Sequence, residues 1–109
     1  MPESFERGAL TEAVFYILLS VHEPMHGYAI MQNIEKLTEG RVVLGPGTLY
    51  GAINALVQKR WIAAANEMQD SRKKEYIITD TGRAVFENEI ARLRELLQNF
   101  ENVLRGSKE

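Results

Sequence analysis

His22 and His26 stand four residues apart in this 109-residue chain, the spacing at which two imidazoles share a helix face and can grip zinc. Pro24 lies between them and breaks the helix that would align them, and beyond Glu23 no third ligand is at hand. His26 is therefore read as a helix-start residue, and no metal is assigned. Asp70, Glu75 and Asp80 offer carboxylates for acid–base work, but nothing around them builds the apolar pocket that would lift a pKa. Gly45-Pro-Gly47 carries too few glycines to cradle a phosphate and suits a helix lead-in instead. The chain has no cysteine, which excludes thiolate chemistry and disulfides. No catalytic residue or cofactor emerges, so the chain is read as a non-enzyme.

The chemistry that remains is recognition. A helix opening at Pro46, where proline loses no useful donor, places Leu49, Ala52, Ile53, Leu56 and Val57 on one apolar stripe. Its other face carries Gly47, Thr48, Gly51, Asn54, Ala55 and Gln58, all small or hydrogen-bonding and none charged. Two occupants suit so smooth a polar face. One is another protein segment. The other is a DNA major groove, where small side chains allow close approach and Thr48, Asn54 and Gln58 can meet base edges. Lys59 and Arg60 close the last turn, where cations complement the helix dipole, and Arg72, Lys73 and Lys74 form a second basic group. The formal net charge is −2, so binding to nucleic acid requires a local basic patch of this kind.

The elements that must position these residues can be read from pattern. Apolar residues make up 45 % and charged ones 26 %, the balance of a single globular domain. The longest apolar run, Ala13 to Leu19, is too short to span a bilayer and no secretory signal is visible, so a cytoplasmic location is expected. A first helix capped by Thr11 carries Leu10, Val14, Ile17, Leu18 and Val21 on one face, widened by Ala13, Phe15, Tyr16 and Leu19. A second runs from Tyr28 to Leu37, with Ile30, Ile34 and Leu37 inward, and Gly40 stops it. Val42 to Leu44 predicts one short strand. After the Pro46 helix, strands are expected at Ile62–Asn66 and Lys74–Thr79, joined by a polar, charged tip.

Thr79 then caps a long last helix that reaches about Arg105, with Gly106 as its stop. Phe86, Ile90, Leu93, Leu97, Phe100 and Leu104 follow a four-three spacing, which is a heptad seam. The seam can pack on the domain's own core or pair with a second copy, and the expectation here is a homodimer interface. The fold class is accordingly mainly α with a small β-hairpin wing: a winged helix-turn-helix over residues 1–79 and a C-terminal dimerisation helix over 80–109, together one compact unit. In that order of elements the Pro46 helix reads double-stranded DNA and the hairpin's basic residues meet phosphates. A winged helix used only for protein contacts is the alternative.

The residues Met25-His-Gly-Tyr28, Gly47-Thr-Leu-Tyr50 and Tyr76-Ile-Ile-Thr-Asp-Thr-Gly82 give the chain a further likeness. It resembles the PadR family of bacterial transcriptional regulators from about Phe5 onward, and within it the short-chain branch with one C-terminal helix. The resemblance implies a winged-helix homodimer that represses nearby genes and releases DNA when a small molecule binds. It also implies that Tyr50 touches the DNA backbone, as basic residues of the wing do. Some short-chain members hold a tryptophan in the last helix that stacks flat ligands; here Leu93 lies at about that position, and the sole tryptophan, Trp61, ends the reading helix. Phe15 and Leu93 are the candidate contacts for a hydrophobic or aromatic effector in a central pocket where the first and last helices meet across the two-fold, a space that a dense core would instead close.

Overall fold

Threonine hydroxyls start both the first and the last helix. The computed structural model describes residues 9–66 and 73–106. Helix α1 (Glu12–Ser20) begins where Thr11 Oγ1 accepts the Val14 N–H at 3.1 Å, and it ends ahead of Pro24. A two-residue strand β1 (Met25–His26) leads into α2 (Gly27–Leu37). Helix α3 (Pro46–Gln58) follows, with Gly45 as its cap residue. Strands β2 (Ile62–Ala64) and β3 (Glu75–Ile78) precede α4 (Asp80–Leu104). Four helices and a three-stranded sheet in this order form a winged helix.

The strands differ from the sequence expectation in one place. The sheet is antiparallel with order β1-β3-β2, Met25 facing Tyr76 and Ile62 facing Ile78. Both edges of β3 are therefore taken, and Val42–Leu44, expected as a strand, has no ladder to join. Its alternation is real, since Val42 and Leu44 pack against the core and Val43 is exposed. Its backbone is held otherwise: the Val42 N–H donates to Thr38 Oγ1 at 3.0 Å.

Three helices end in left-handed turns, the last of them at Gly106 (φ 75°), the residue expected to stop it. At the end of α2, Glu39 (φ 53°) and Gly40 (φ 83°) reverse the chain, and the Gly40 N–H returns to Glu35 O at 2.8 Å. The stop thus begins one residue before the glycine that signalled it. Leu37, expected to face inward, is 52 % exposed at the helix's last residue. At the end of α3, Arg60 takes φ 65° and the Trp61 N–H reaches Leu56 O at 3.0 Å.

Ile17, Leu18, Val21, Ile30, Ile34, Leu49, Ile53 and Ile62 fill the core. Helix α4 enters it only by its first turns. Gly82 is required there, because a Cβ would run into the backbone carbonyl of Trp61. Phe86 is buried and stacks on Phe15 at 5.0 Å between ring centroids. Two polar residues lie buried against expectation, Ser20 and Glu89, and Glu89 is only 3 % exposed. It accepts from Arg92 Nε and Nη2, each at 2.8 Å, and from the Leu10 N–H at 3.3 Å, so it ties α4 to the start of α1. The Arg92 hydrogen bond holds its carboxyl below the usual carboxylate range, against the opposing pull of burial.

Glu89→Gln should cost about 1.5–3 kcal/mol in urea unfolding at neutral pH, the range for a hydrogen bond to a charged group. A lowered carboxylate pKa stabilises above its unfolded value and loses that contribution as pH falls through the folded one. The gap between wild type and Glu89→Gln should therefore narrow with acidification, and a gap constant down through the acid range would contradict the assignment.

Candidate nucleic-acid interface

The two faces of α3 separate cleanly. Leu49, Ile53 and Leu56 are buried in the core, while Gly47, Thr48, Gly51, Asn54, Ala55 and Gln58 are all exposed. Val57, at the edge of the apolar stripe, is exposed as well. The outer face is therefore a strip of small and amide side chains without charge. It is anchored by a buried face that leaves the helix little freedom to roll.

Lys59 lies on the flank of that strip, its ammonium 4.8 Å from the centre of the Trp61 ring. Lys73 is exposed and Lys74 half-buried on the arm that leads into β3. Asn66 closes the neck of the hairpin, its Nδ2 donating to Lys73 O at 3.1 Å and its Oδ1 accepting the Glu75 N–H at 3.1 Å. Arg72, the third basic residue expected at the wing, lies outside the described residues.

Tyr50 is half-buried, and what it covers joins two of the sequence motifs. A Cβ at Gly27 would stand 2.6 Å from Tyr50 Cζ, so the absence of a side chain on the first residue of α2 is what seats the phenol. Tyr76 of β3 is a near neighbour: burial pushes its hydroxyl pKa up, and proximity to Tyr50 adds to the rise. Tyr50 of α3 thus packs on the start of α2 and lies near the wing sheet. In the sequence the motifs Met25–Tyr28 and Gly47–Tyr50 stand apart. The signal that they meet is a glycine in one and a large aromatic ring in the other.

The histidines take unrelated positions. His22 Nδ1 lies 2.9 Å from Leu18 O, and its ring meets Phe86 edge-on. His26 sits across the β1–β3 pair from Glu75, with 3.7 Å between Nε2 and Oε2. Of the carboxylates weighed for acid–base work, Asp70 lies outside the described residues, and Asp80 is exposed in the first turn of α4.

Along the heptad seam, Phe86 and Ile90 pack on the chain's own core. From Leu93 the seam faces outward: Leu97 is 56 % exposed and Leu104 73 %, with Leu96, Phe100 and Val103 beside them. Within one chain, Phe15 and Leu93 line a cleft of about 350 Å³ between α1 and α4, with Leu10, Tyr16, Glu89 and Arg92 around it.

Comparison with known proteins follows this geometry. The model of the transcriptional regulator PadR-like family matches residues 14–88. An uncharacterised 37.1 kDa protein in transposon Tn4556 of Streptomyces fradiae is 39 % identical over 66 residues, which cover 61 % of this chain and 18 % of that protein. The chain therefore spans less than a fifth of that relative's length. Among solved structures, a PadR-like transcription factor from Bacteroides fragilis superposes with a TM-score of 0.69 at 23 % identity, covering 94 % of this chain and 96 % of that one. A PadR family regulator from Eggerthella lenta gives 0.68 at 23 % identity, with 88 % and 82 % covered. At such identity these likenesses establish the fold.

Gly27→Ala should displace the Tyr50 ring, at a cost of about 1–2 kcal/mol in stability. If Tyr50 contributes a hydrogen bond to DNA phosphate, the same change should weaken binding to a duplex roughly tenfold. In a Tyr50→Ala background it should have almost no further effect. Fluorescence anisotropy on the four proteins of that cycle decides, and equal losses in both backgrounds would rule out the coupling.

Proposed function

Because the chain belongs to the PadR-like family of transcriptional regulators, we infer that it is a homodimeric repressor which grips a palindromic operator through two copies of α3. The coarser statement, a DNA-binding regulator, follows from the family. The observation that supports the finer reading is the charge-free exposed face of α3 set between basic flanks. Thr48, Asn54 and Gln58 sit where a groove would meet them, and Tyr50, Lys59, Lys73 and Lys74 sit where phosphates would pass. Lys and Glu normally crowd a solvated helix face. Leaving all six positions uncharged suits close approach to base edges.

The exposed seam from Leu93 to Leu104 supports the dimer. A 25-residue helix is about 37 Å long, and among the described residues only its first turns find partners in their own chain. Pairing the remainder with a second copy would cover apolar surface that is otherwise left in water. Such a dimer can set its reading helices one DNA turn apart, about 34 Å, and the second contact then becomes effectively intramolecular. An apolar or phenolic effector between α1 and α4, against Phe15 and Leu93, would bear on the same geometry. The described residues include no helix long and apolar enough to cross a membrane.

Replacing Lys73 and Lys74 with alanine should weaken binding to all duplexes alike, and each lost phosphate contact should reduce the salt slope by about one unit. Asn54→Ala or Gln58→Ala should instead reduce discrimination between sites and leave that slope nearly intact. Wing changes that altered sequence preference without moving the slope would reverse these roles.

Leu97→Asp places a carboxylate in the seam, where burying it unpaired costs several kcal/mol. Sedimentation should then show a monomer, circular dichroism should retain most of the helix, and operator affinity should fall by roughly 10²–10⁴. A variant that stays dimeric, or that binds as a monomer at full strength, would contradict the proposal.

A further inference from the structure

Four glycines stand inside the described helices: Gly27, Gly47, Gly51 and Gly82. Packing explains two of them. A Cβ at Gly27 would run into the Tyr50 ring, and one at Gly82 into the Trp61 carbonyl. Gly47 and Gly51 of α3 have no such reason. A Cβ at either would meet nothing within 4 Å, and neither takes a left-handed φ. Gly47 lies in the first turn of α3, but Gly51 lies in its interior, where glycine weakens a helix relative to alanine. The chain thus holds at Gly51 a residue that destabilises its own reading helix and that its own core does not need.

On the surface, Gly51 leaves a dent. It lies on the side of α3 away from the buried Leu49, Ile53 and Leu56. Its neighbours one turn away are Gly47, Thr48, Asn54 and Ala55, all exposed and none charged. By helical position, Thr48 and Ala55 rim the bare backbone on one side and Asn54 on the other. Among the described residues nothing hydrogen-bonds to the Asn54 amide.

This combination discriminates between base pairs. Guanine is read best by arginine or lysine, bidentate to O6 and N7, and neither residue type stands around Gly51. Adenine presents an N7 acceptor and an N6 donor, which match the two ends of an asparagine amide. Thymine projects a methyl group into the major groove. An uncharged stretch of bare backbone beside alanine and threonine is the complement of that methyl.

We propose that Gly51 is a specificity-determining residue of α3, which seats a thymine methyl group against the helix backbone while Asn54 takes an adenine edge beside it. The proposal rests on the operator-binding reading above and adds the base pair that α3 selects. The missing side chain then serves the DNA and not the fold. Stability and binding should therefore respond to Gly51→Ala with opposite signs.

At fixed protein concentration, Gly51→Ala should raise the melting temperature by about 2–6 °C, because the new Cβ enters open space and favours the helix. Its affinity for the duplex that wild type selects from a random pool should fall roughly tenfold in fluorescence anisotropy, since the Cβ takes the place of the methyl. Exchanging thymines one position at a time for deoxyuridine removes the methyl alone. At one position this should cost wild type about fourfold per half-site, the value of one buried methyl-sized group. The same exchange should restore most of the affinity of Gly51→Ala. Opposite preferences for one methyl group are not produced by a general weakening of α3. Full-strength binding by Gly51→Ala, or an equal cost of deoxyuridine to both proteins at every position, overturns the proposal. A lowered melting temperature assigns Gly51 to the fold and also overturns it. Each of these results leaves the operator reading standing, whereas a wild-type protein that selects no duplex overturns both.

Discussion

Three elements meet at the Thr79 hydroxyl, and their relative placement depends on it. It accepts the Gly82 N–H at 3.0 Å and so caps α4. It also donates to Arg60 O at 2.6 Å, where the reading helix has just ended in its left-handed turn. The Thr79 N–H meanwhile donates to Trp61 O, and the Ile78 N–H to Val21 O at 2.8 Å, which joins the end of β3 to the end of α1. The reading helix, the wing and the long helix are thus referred to one corner. A shift of the α4 axis therefore reaches α3 through a few short hydrogen bonds and the close approach of Gly82 to Trp61.

A net charge of −2 does not exclude binding to a polyanion. Affinity for DNA comes from where the cations stand, not from their sum. Lys59 flanks the exposed strip of α3 and Lys73 stands on the hairpin arm. Two of the acidic residues are taken up by other arginines: Glu12 pairs with Arg41, and Glu89 is buried against Arg92. The apolar surface is divided in the same way, between a core shared by α1–α3 and the sheet, and an exposed seam beyond Leu93.

Local signals were legible in the sequence. Thr11 and Thr79 cap as their residue type and position suggest, because a cap is decided within four residues. The division of α3 into buried and exposed faces follows from helical periodicity. Long-range decisions were not legible. Whether Val42–Leu44 or Met25–His26 forms a strand is settled by which segment reaches β3, and β-propensity does not contain that information. Glu89 reads as a surface glutamate until Arg92 and the Leu10 N–H are brought to it. Gly27 and Tyr50 stand 23 positions apart, and only the fold shows that one makes room for the other.

Selection of bound sequences from a random duplex pool tests the central claim, two reading helices held by one seam, most directly. The purified protein should enrich an inverted repeat whose half-site centres lie about 10–10.5 base pairs apart, or a multiple of that spacing. Enrichment of a single unrepeated site, of half-sites without fixed spacing, or of no sequence at all would contradict the account.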